Sequence, residues 1–206
     1  MAEVDTAQNR FPPATAVGTR TRVVYDLLSP AGIAVSINFT DRAGEEIDRL
    51  TEETIHELGD NDGILLLLDS MQHRQDLQTG LRRMLNMIHM ASGRDATLSS
   101  TPVAICLTKV DRLLLSHHEL HEAEDAPDVF VSTRIDSSLD AVAKTRLRRF
   151  RFFPVSAAGV FVSHDCVRTA TFYDESLTLR LAHGGSPVNL TKPIEWLIET
   201  MESPLP

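Results

Sequence analysis

Three short stretches carry residue types that could do chemistry together: Asp41-Arg42-Ala43-Gly44, Thr108-Lys109-Val110-Asp111 and Ser156-Ala157-Ala158-Gly159. Each follows an apolar run, Ile33–Phe39 (with Thr40 between), Pro102–Leu107 and Phe152–Val155 respectively. In an open α/β sheet, ligands bind beyond the carboxyl ends of the strands, so these positions are the ones to inspect. Carboxylates there can accept from the donor edge of a ligand or hold a cation. A lysine supplies a long stem and a charge, and a Gly or Ala N–H lets a ligand approach the backbone closely. Any one tetrapeptide is common; three of them, in this order and each at a strand exit, form a specific conjunction. As residues alone, Asp41 and Gly44 also fit an ordinary turn, and Lys109 with Asp111 also fits a helix N-cap beside a solvated lysine.

Other candidates carry less. His117 and His121 are spaced to share a helix face and could bind a divalent metal, but no third ligand is placed, and Ser116–Asp125 reads first as a solvated polar insertion. The basic run Lys144–Arg151 could meet an acidic partner and reads first as an exposed helix face leading into the Phe152 strand. Asp60-Asn61-Asp62-Gly63 is a turn before a strand, not a calcium loop. Ser163, His164 and Asp165 have the composition of a hydrolase triad, yet neighbours in sequence do not make a triad in space.

The elements that must position these residues follow from periodicity. Thr21–Leu28 is β-rich and partly alternating, and the turn Ser29-Pro30-Ala31-Gly32 predicts a hairpin into Ile33–Phe39. A helix is expected over Glu46–Leu58. The continuous apolar run Ile64–Leu68 predicts a strand buried on both faces of a parallel sheet. In Gln75–Ala91, Leu77, Leu81, Met84, Leu85 and Ile88 recur at three- and four-residue spacing, which predicts an amphipathic helix with its methionines as core filler. Pro102–Leu107 and Phe152–Val155 are further buried strands, Val160–Gly185 is a β-rich insertion, and Leu190–Met201 is a last helix with Ile194, Trp196, Leu197 and Ile198 on its apolar side. Strands alternating with helices give an α/β fold, a mostly parallel sheet with helices on both faces and one antiparallel edge hairpin.

The ordered strand exits resemble the DxxG, [NT]KxD and SA patterns of the guanine-nucleotide-binding domain of Ras-like and translation-factor (TRAFAC) GTPases, over about Thr19–Met201. Within that family the chain looks most like the prokaryotic double-GTPase domains. The resemblance implies a three-layer P-loop NTPase-like fold, a guanine nucleotide (GTP or GDP) with Mg²⁺, and an effector protein or a second GTPase chain or domain as partner. By resemblance, Asp111 accepts from guanine N1 and N2, which also rejects adenine, whose acceptor N1 would leave a buried carboxylate unpaired. Lys109 lays its stem along the base beside Thr108. The Ala157 N–H donates to guanine O6, which favours small residues at Ser156, Ala157 and Ala158. Asp41 holds Mg²⁺ through water, the Gly44 N–H meets the γ-phosphate, and Thr19 (or Thr15) ligates Mg²⁺ from the first switch. Where many such GTPases carry a Gln that orients the attacking water, this chain has Glu45. An ionised Glu donates nothing to the γ-phosphate, so catalysis at Glu45 and Gly44 is not expected of this chain by itself. In a complete form, water would attack in line with Mg²⁺ assistance, and the segments near Thr19 and from Asp41 to Leu50 would change with the nucleotide.

One part is missing from the pattern. No GxxxxGK[ST] phosphate loop occurs anywhere in the chain. In the family it precedes the DxxG aspartate together with a first, central strand, and Asp41 lies too near Met1 to leave room for either. The expectation is one domain over residues 1–206, N-terminally incomplete, with insertions at about 116–144 and 160–185. It would be a truncated switch domain that binds GTP weakly alone, or, as the alternative, a pseudo-GTPase that serves as an interaction module without turnover.

Composition bounds these readings. The hydrophobic set is 42% of 206 residues, enough for a sizeable core. With 20 Lys and Arg against 29 Asp and Glu the net charge is −9, which argues against non-specific nucleic-acid binding or docking on anionic lipid. Two cysteines, one inside an apolar run, fit a reduced cytoplasmic protein. No apolar stretch approaches the length of a membrane helix, and Met1–Arg10 is too polar for a secretory signal.

Overall fold

Apolar runs bounded by turns become the central strands. In the computed structural model, residues 21–28, 34–41, 52–92 and 99–202 are described. They fall into two compact units, residues 1–51 and residues 52–206.

In the first unit, β1 (Thr21–Leu28) pairs antiparallel with β2 (Ala34–Asp41), in register from Thr21↔Asp41 to Leu28↔Ala34. The expected hairpin is present, with its second strand running on through Asp41. The expected helix start over 46–51 lies outside the described residues.

The second unit is built on a parallel sheet of order β3-β4-β5, comprising β3 (Ile64–Asp69), β4 (Val103–Thr108) and β5 (Phe150–Pro154). The middle strand β4 is buried on both faces from Val103 to Leu107. Helix α1 (Glu52–Gly59) packs on α2 (Arg74–Ala91). The 3.6-residue period of α2 is satisfied literally: Leu77, Leu81, Leu85 and Ile88 all lie in the core. Each such burial removes apolar surface worth about 1.5–3 kcal/mol from water. They meet Leu66, Leu68, Ile105, Leu107 and Phe152 of the sheet.

The same core takes in α3 (His117–Asp125), α4 (Pro127–Phe130), a π-helical turn at Val131–Ile135 and α5 (Leu139–Lys144), through Ala123, Phe130, Val131, Leu139 and Val142. Ser116–Asp125, expected to be a solvated polar insertion, is helical and largely exposed, touching the core only through Ala123 and Leu120; the core residues of this region follow it, from Phe130 to Val142. Ser116 starts α3: its hydroxyl accepts from the Glu119 N–H at 3.3 Å, and the Glu119 carboxylate accepts from the Leu115 N–H at 2.7 Å, a capping-box arrangement shifted by one residue.

On the opposite face, Ala104, Cys106, Phe153, Val155 and Leu197 form a smaller cluster against α6 (Lys192–Glu202), with Leu65 and Trp196 beside it. Helices thus cover both faces of this sheet. The strand β3 departs from expectation. Leu66 and Leu68 are buried, but Leu67 is 60% exposed, so β3 is buried on one face and not on both. Among the described residues it hydrogen-bonds only to β4, as an edge strand.

After β5 the chain turns antiparallel. β6 (Ser156–Val162) lies between β10 (Ser186–Val188) and β7 (Val167–Thr169), and β8 (Thr171–Tyr173) pairs with β9 (Leu179–Leu181). Val160–Gly185 is β-rich as expected. The basic run Lys144–Arg151 is not a helix face: α5 ends at Lys144, Leu147 is buried in a connecting turn, and Phe150 begins β5. No helix among the described residues is long and apolar enough to cross a membrane.

Candidate functional site

Parallel register aligns the carboxyl ends of β3, β4 and β5, pairing Asp69 with Thr108 and Leu107 with Pro154. Hydrogen bonds then tie the three exits together. The Thr108 hydroxyl donates to the Leu68 carbonyl at 3.1 Å, the Ser70 N–H donates to the Thr108 carbonyl at 3.2 Å, and the Val110 N–H donates to the Val155 carbonyl at 3.4 Å.

At Lys109 the backbone enters the left-handed region, φ 63° and ψ 25°, which costs a non-glycine residue on the order of 1–2 kcal/mol. The turn divides the side chains. Lys109 points out and pairs with Asp69 Oδ2 at 2.6 Å, while Val110 and Asp111 go inward. The Asp69 carboxylate also accepts from the Met71 N–H at 2.9 Å. Both members of the Lys109–Asp69 pair are partly solvated, so it contributes at most about 1 kcal/mol and acts mainly to set the direction of the Lys109 stem.

Asp111 is the centre of the site. It is only 3% exposed, and both oxygens are engaged. Oδ1 accepts from the Ser156 hydroxyl at 2.5 Å and Oδ2 from the Thr169 hydroxyl at 2.6 Å. A carboxylate only accepts, which fixes the direction of both bonds. Ser156 Oγ in turn accepts from the Gly159 N–H at 3.0 Å. Thr169 Oγ1 accepts from the Thr171 N–H at 3.2 Å and lies 2.9 Å from Thr171 Oγ1. With its one proton on Asp111, Thr169 is the acceptor in that last contact and Thr171 the donor. The result is a polarised chain of hydroxyls ending on one buried carboxylate.

Of the sequence candidates, the structure brings Thr108, Lys109, Asp111 and Ser156 to one edge. Ser156, Ala157 and Ala158 are the opening of strand β6; Ser156 is buried, whereas Ala157 is exposed. Asp41 is the last residue of β2, in the other unit, and Thr19, Gly44 and Glu45 lie outside the described residues. The two residues expected to hold Mg²⁺, Asp41 and Thr19, thus have no described side chain. Among the described residues no group of three His, Cys, Asp or Glu side chains could hold a metal ion. His117 and His121 are engaged separately, the first with the Ser163 carbonyl at 2.7 Å and the second with Asp125 at 2.8 Å. Ser163 turns its hydroxyl to Cys166 while His164 pairs with Asp165 in full solvent, so the three make no triad.

Two participants were not singled out from sequence. Asp69 follows the run Ile64–Leu68, and the strand-exit rule that selects Asp111 selects it too. Thr169 has no such signal; only the return of β7 against the turn after β4 places it there. Two surface concavities lie away from Asp111: one of about 570 Å³ between α2 and α5, lined by Arg82, Asn86, Ser138 and Arg146, and one of about 240 Å³ beside Trp196 and Asn189. Compared with family models, with curated proteins and with solved structures, the chain matches none.

Proposed function

We propose that the chain is a guanine-nucleotide-binding domain of the GTPase type, with a P-loop NTPase-like architecture, and that it reads the guanine base at the turn after β4. The observation that carries this reading is the meeting of Thr108-Lys109-Val110-Asp111 with Ser156 at aligned strand ends, the Ser156 hydroxyl fixing the Asp111 carboxylate. A carboxylate held at that turn is the acceptor that the N1 and N2 donors of guanine require, and it penalises adenine. Lys109, directed by Asp69, supplies the stem that covers the base. The chain has no GxxxxGK[ST] sequence to cradle phosphates, so GTP binding by it alone is weaker than micromolar and turnover is not its own property. An effector or a second GTPase domain is the partner that fits such a domain, and two free thiols fit a reducing cytoplasm.

The second reading, an interaction module without turnover, is favoured by one observation: both oxygens of Asp111 are already taken by protein hydroxyls, away from solvent. Titration of the ¹⁵N-labelled chain with guanosine and with adenosine separates the two. The expected result is shifts of the 108–112 amides with guanosine and not adenosine, weakened several-fold in Lys109→Ala and abolished in Asp111→Asn. Lys109 is exposed, so Lys109→Ala keeps the fold and its loss of binding reports the site. Equal shifts with both nucleosides, or none with either, would leave the interaction module as the function.

A further inference from the structure

We infer that Thr169 is a latch on the base-reading carboxylate: its hydroxyl occupies the position on Asp111 that a guanine donor takes, and binding requires that hydroxyl to turn away. The inference rests on the base-reading role proposed for Asp111 and adds a regulating residue from outside the motif, 58 positions along the chain.

The geometry gives the latch its two positions. In the closed one, Thr169 Oγ1 donates to Asp111 Oδ2 at 2.6 Å. A second acceptor, Thr171 Oγ1, stands 2.9 Å away, and either atom of that pair can donate. Rotation about the Cβ–Oγ1 bond therefore turns the Thr169 proton from Oδ2 to Thr171 Oγ1, so that Oδ2 loses its donor without leaving that proton unpaired. The backbone beneath is fixed and does not have to move. Thr169 is paired with Val160, the Ala170 N–H donates to the Gly159 carbonyl at 3.0 Å, and the Ala182 N–H donates to the Ala170 carbonyl at 2.7 Å. Gly185 allows this close packing, since a Cβ there would overlap Ala170 Cβ. Thr169 itself is half-buried, at the margin of the network, while Asp111 and Ser156 lie inside it. Ser156 bonds the other oxygen and is held by the Gly159 N–H, so it fixes the carboxylate in both positions of the latch.

Displacing one hydrogen bond to a charged acceptor weakens guanosine binding by roughly ten- to a hundredfold. Thr169→Val keeps the branched shape that suits β7 and removes the hydroxyl. It is expected to bind guanosine roughly ten- to a hundredfold more tightly than the parent chain, with adenosine unchanged, and Thr169→Ser is expected to restore the parent affinity. The same variant leaves Asp111 Oδ2 unpaired, so its thermal midpoint falls, and guanosine, by pairing that oxygen, raises the midpoint more in Thr169→Val than in the parent. Should Thr169→Val not fold, Thr169→Ala carries the same expectation. Guanosine affinity equal in the parent and Thr169→Val, with shifts still centred on 108–112, overturns the latch and leaves base reading intact. Absence of guanosine binding in the parent and in both hydroxyl-free variants overturns base reading and the latch with it.

Discussion

Asp111 shows how far residue type can carry an argument and where it stops. The pattern Thr-Lys-Val-Asp after an apolar strand marks a carboxylate at a strand end, and that is where Asp111 lies. What its oxygens touch depends on Ser156 and Thr169, which are distant in sequence, and a hydroxyl that hydrogen-bonds across the fold leaves no periodic trace. The cysteines are more fully legible. Cys106 sits in a continuous apolar run and is buried, and burial pushes its thiol up to about 12. Cys166 is partly exposed, and its thiol is held below the ordinary value, chiefly by the hydrogen bond with Ser163, with burial opposing. At neutral pH the native chain is expected to give one thiol to an aromatic disulfide reagent, from Cys166, and the second only on unfolding. Two fast thiols in the native state would contradict the burial of Cys106. The sign of the pH effect follows. Between the unfolded value near 9 and about 12, native Cys106 keeps a proton that the unfolded chain loses, so stability falls as pH rises, by up to about 1.4 kcal/mol per unit. Urea unfolding at pH 8.5 and 10.5 is expected to show a smaller fall in Cys106→Ala than in the parent.

Elements were legible where one physical requirement dominates. The 3.6-residue repeat of α2 and the fully buried β4 follow from hydrophobic period and run length, because each has a single core to face. β3 has the same all-apolar look as β4, yet Leu67 is exposed. A run of leucines states that burial is affordable on both faces, not that a neighbour is present to provide it. The basic run Lys144–Arg151 departs from expectation for a related reason: four arginines and a lysine look like a solvated helix face, but Leu147 and Phe150 pin the segment as a turn into β5. At the antiparallel end, one glycine carries the geometry. Gly159 has φ +77°, and a Cβ there would overlap the Ser186 carbonyl and the Pro187 nitrogen of the neighbouring strand. Gly159→Ala is expected to cost roughly 2–5 kcal/mol from the combined backbone strain and overpacking, measured by urea unfolding. Because the Gly159 N–H bonds Ser156 and its carbonyl bonds Ala170, the same change loosens both hydroxyls on Asp111. A variant as stable as the parent would mean that β6 and β10 separate more easily than their packing implies.

At the scale of the whole molecule, the division into residues 1–51 and 52–206 assigns the proposed chemistry unequally. Among the described residues, both hydrophobic clusters lie in the second unit, from Ile64 to Leu197, and so do Asp69, Lys109, Asp111, Ser156 and Thr169. Asp41, expected to hold Mg²⁺, and Gly44, expected to meet the γ-phosphate, belong to the first. A fragment spanning residues 52–206 is therefore expected to fold cooperatively, with a thermal midpoint within a few degrees of the full chain, since the described core residues of the second unit pack on one another. It is also expected to bind guanosine as the full chain does, because every residue argued to read the base is present. Circular dichroism melting and guanosine titration of the two proteins check both halves. A fragment that melts without cooperativity would show that residues 1–51 complete the core. A folded fragment that loses guanosine binding would move part of the base site into the first unit, and the separation of base reading from phosphate sensing would fail.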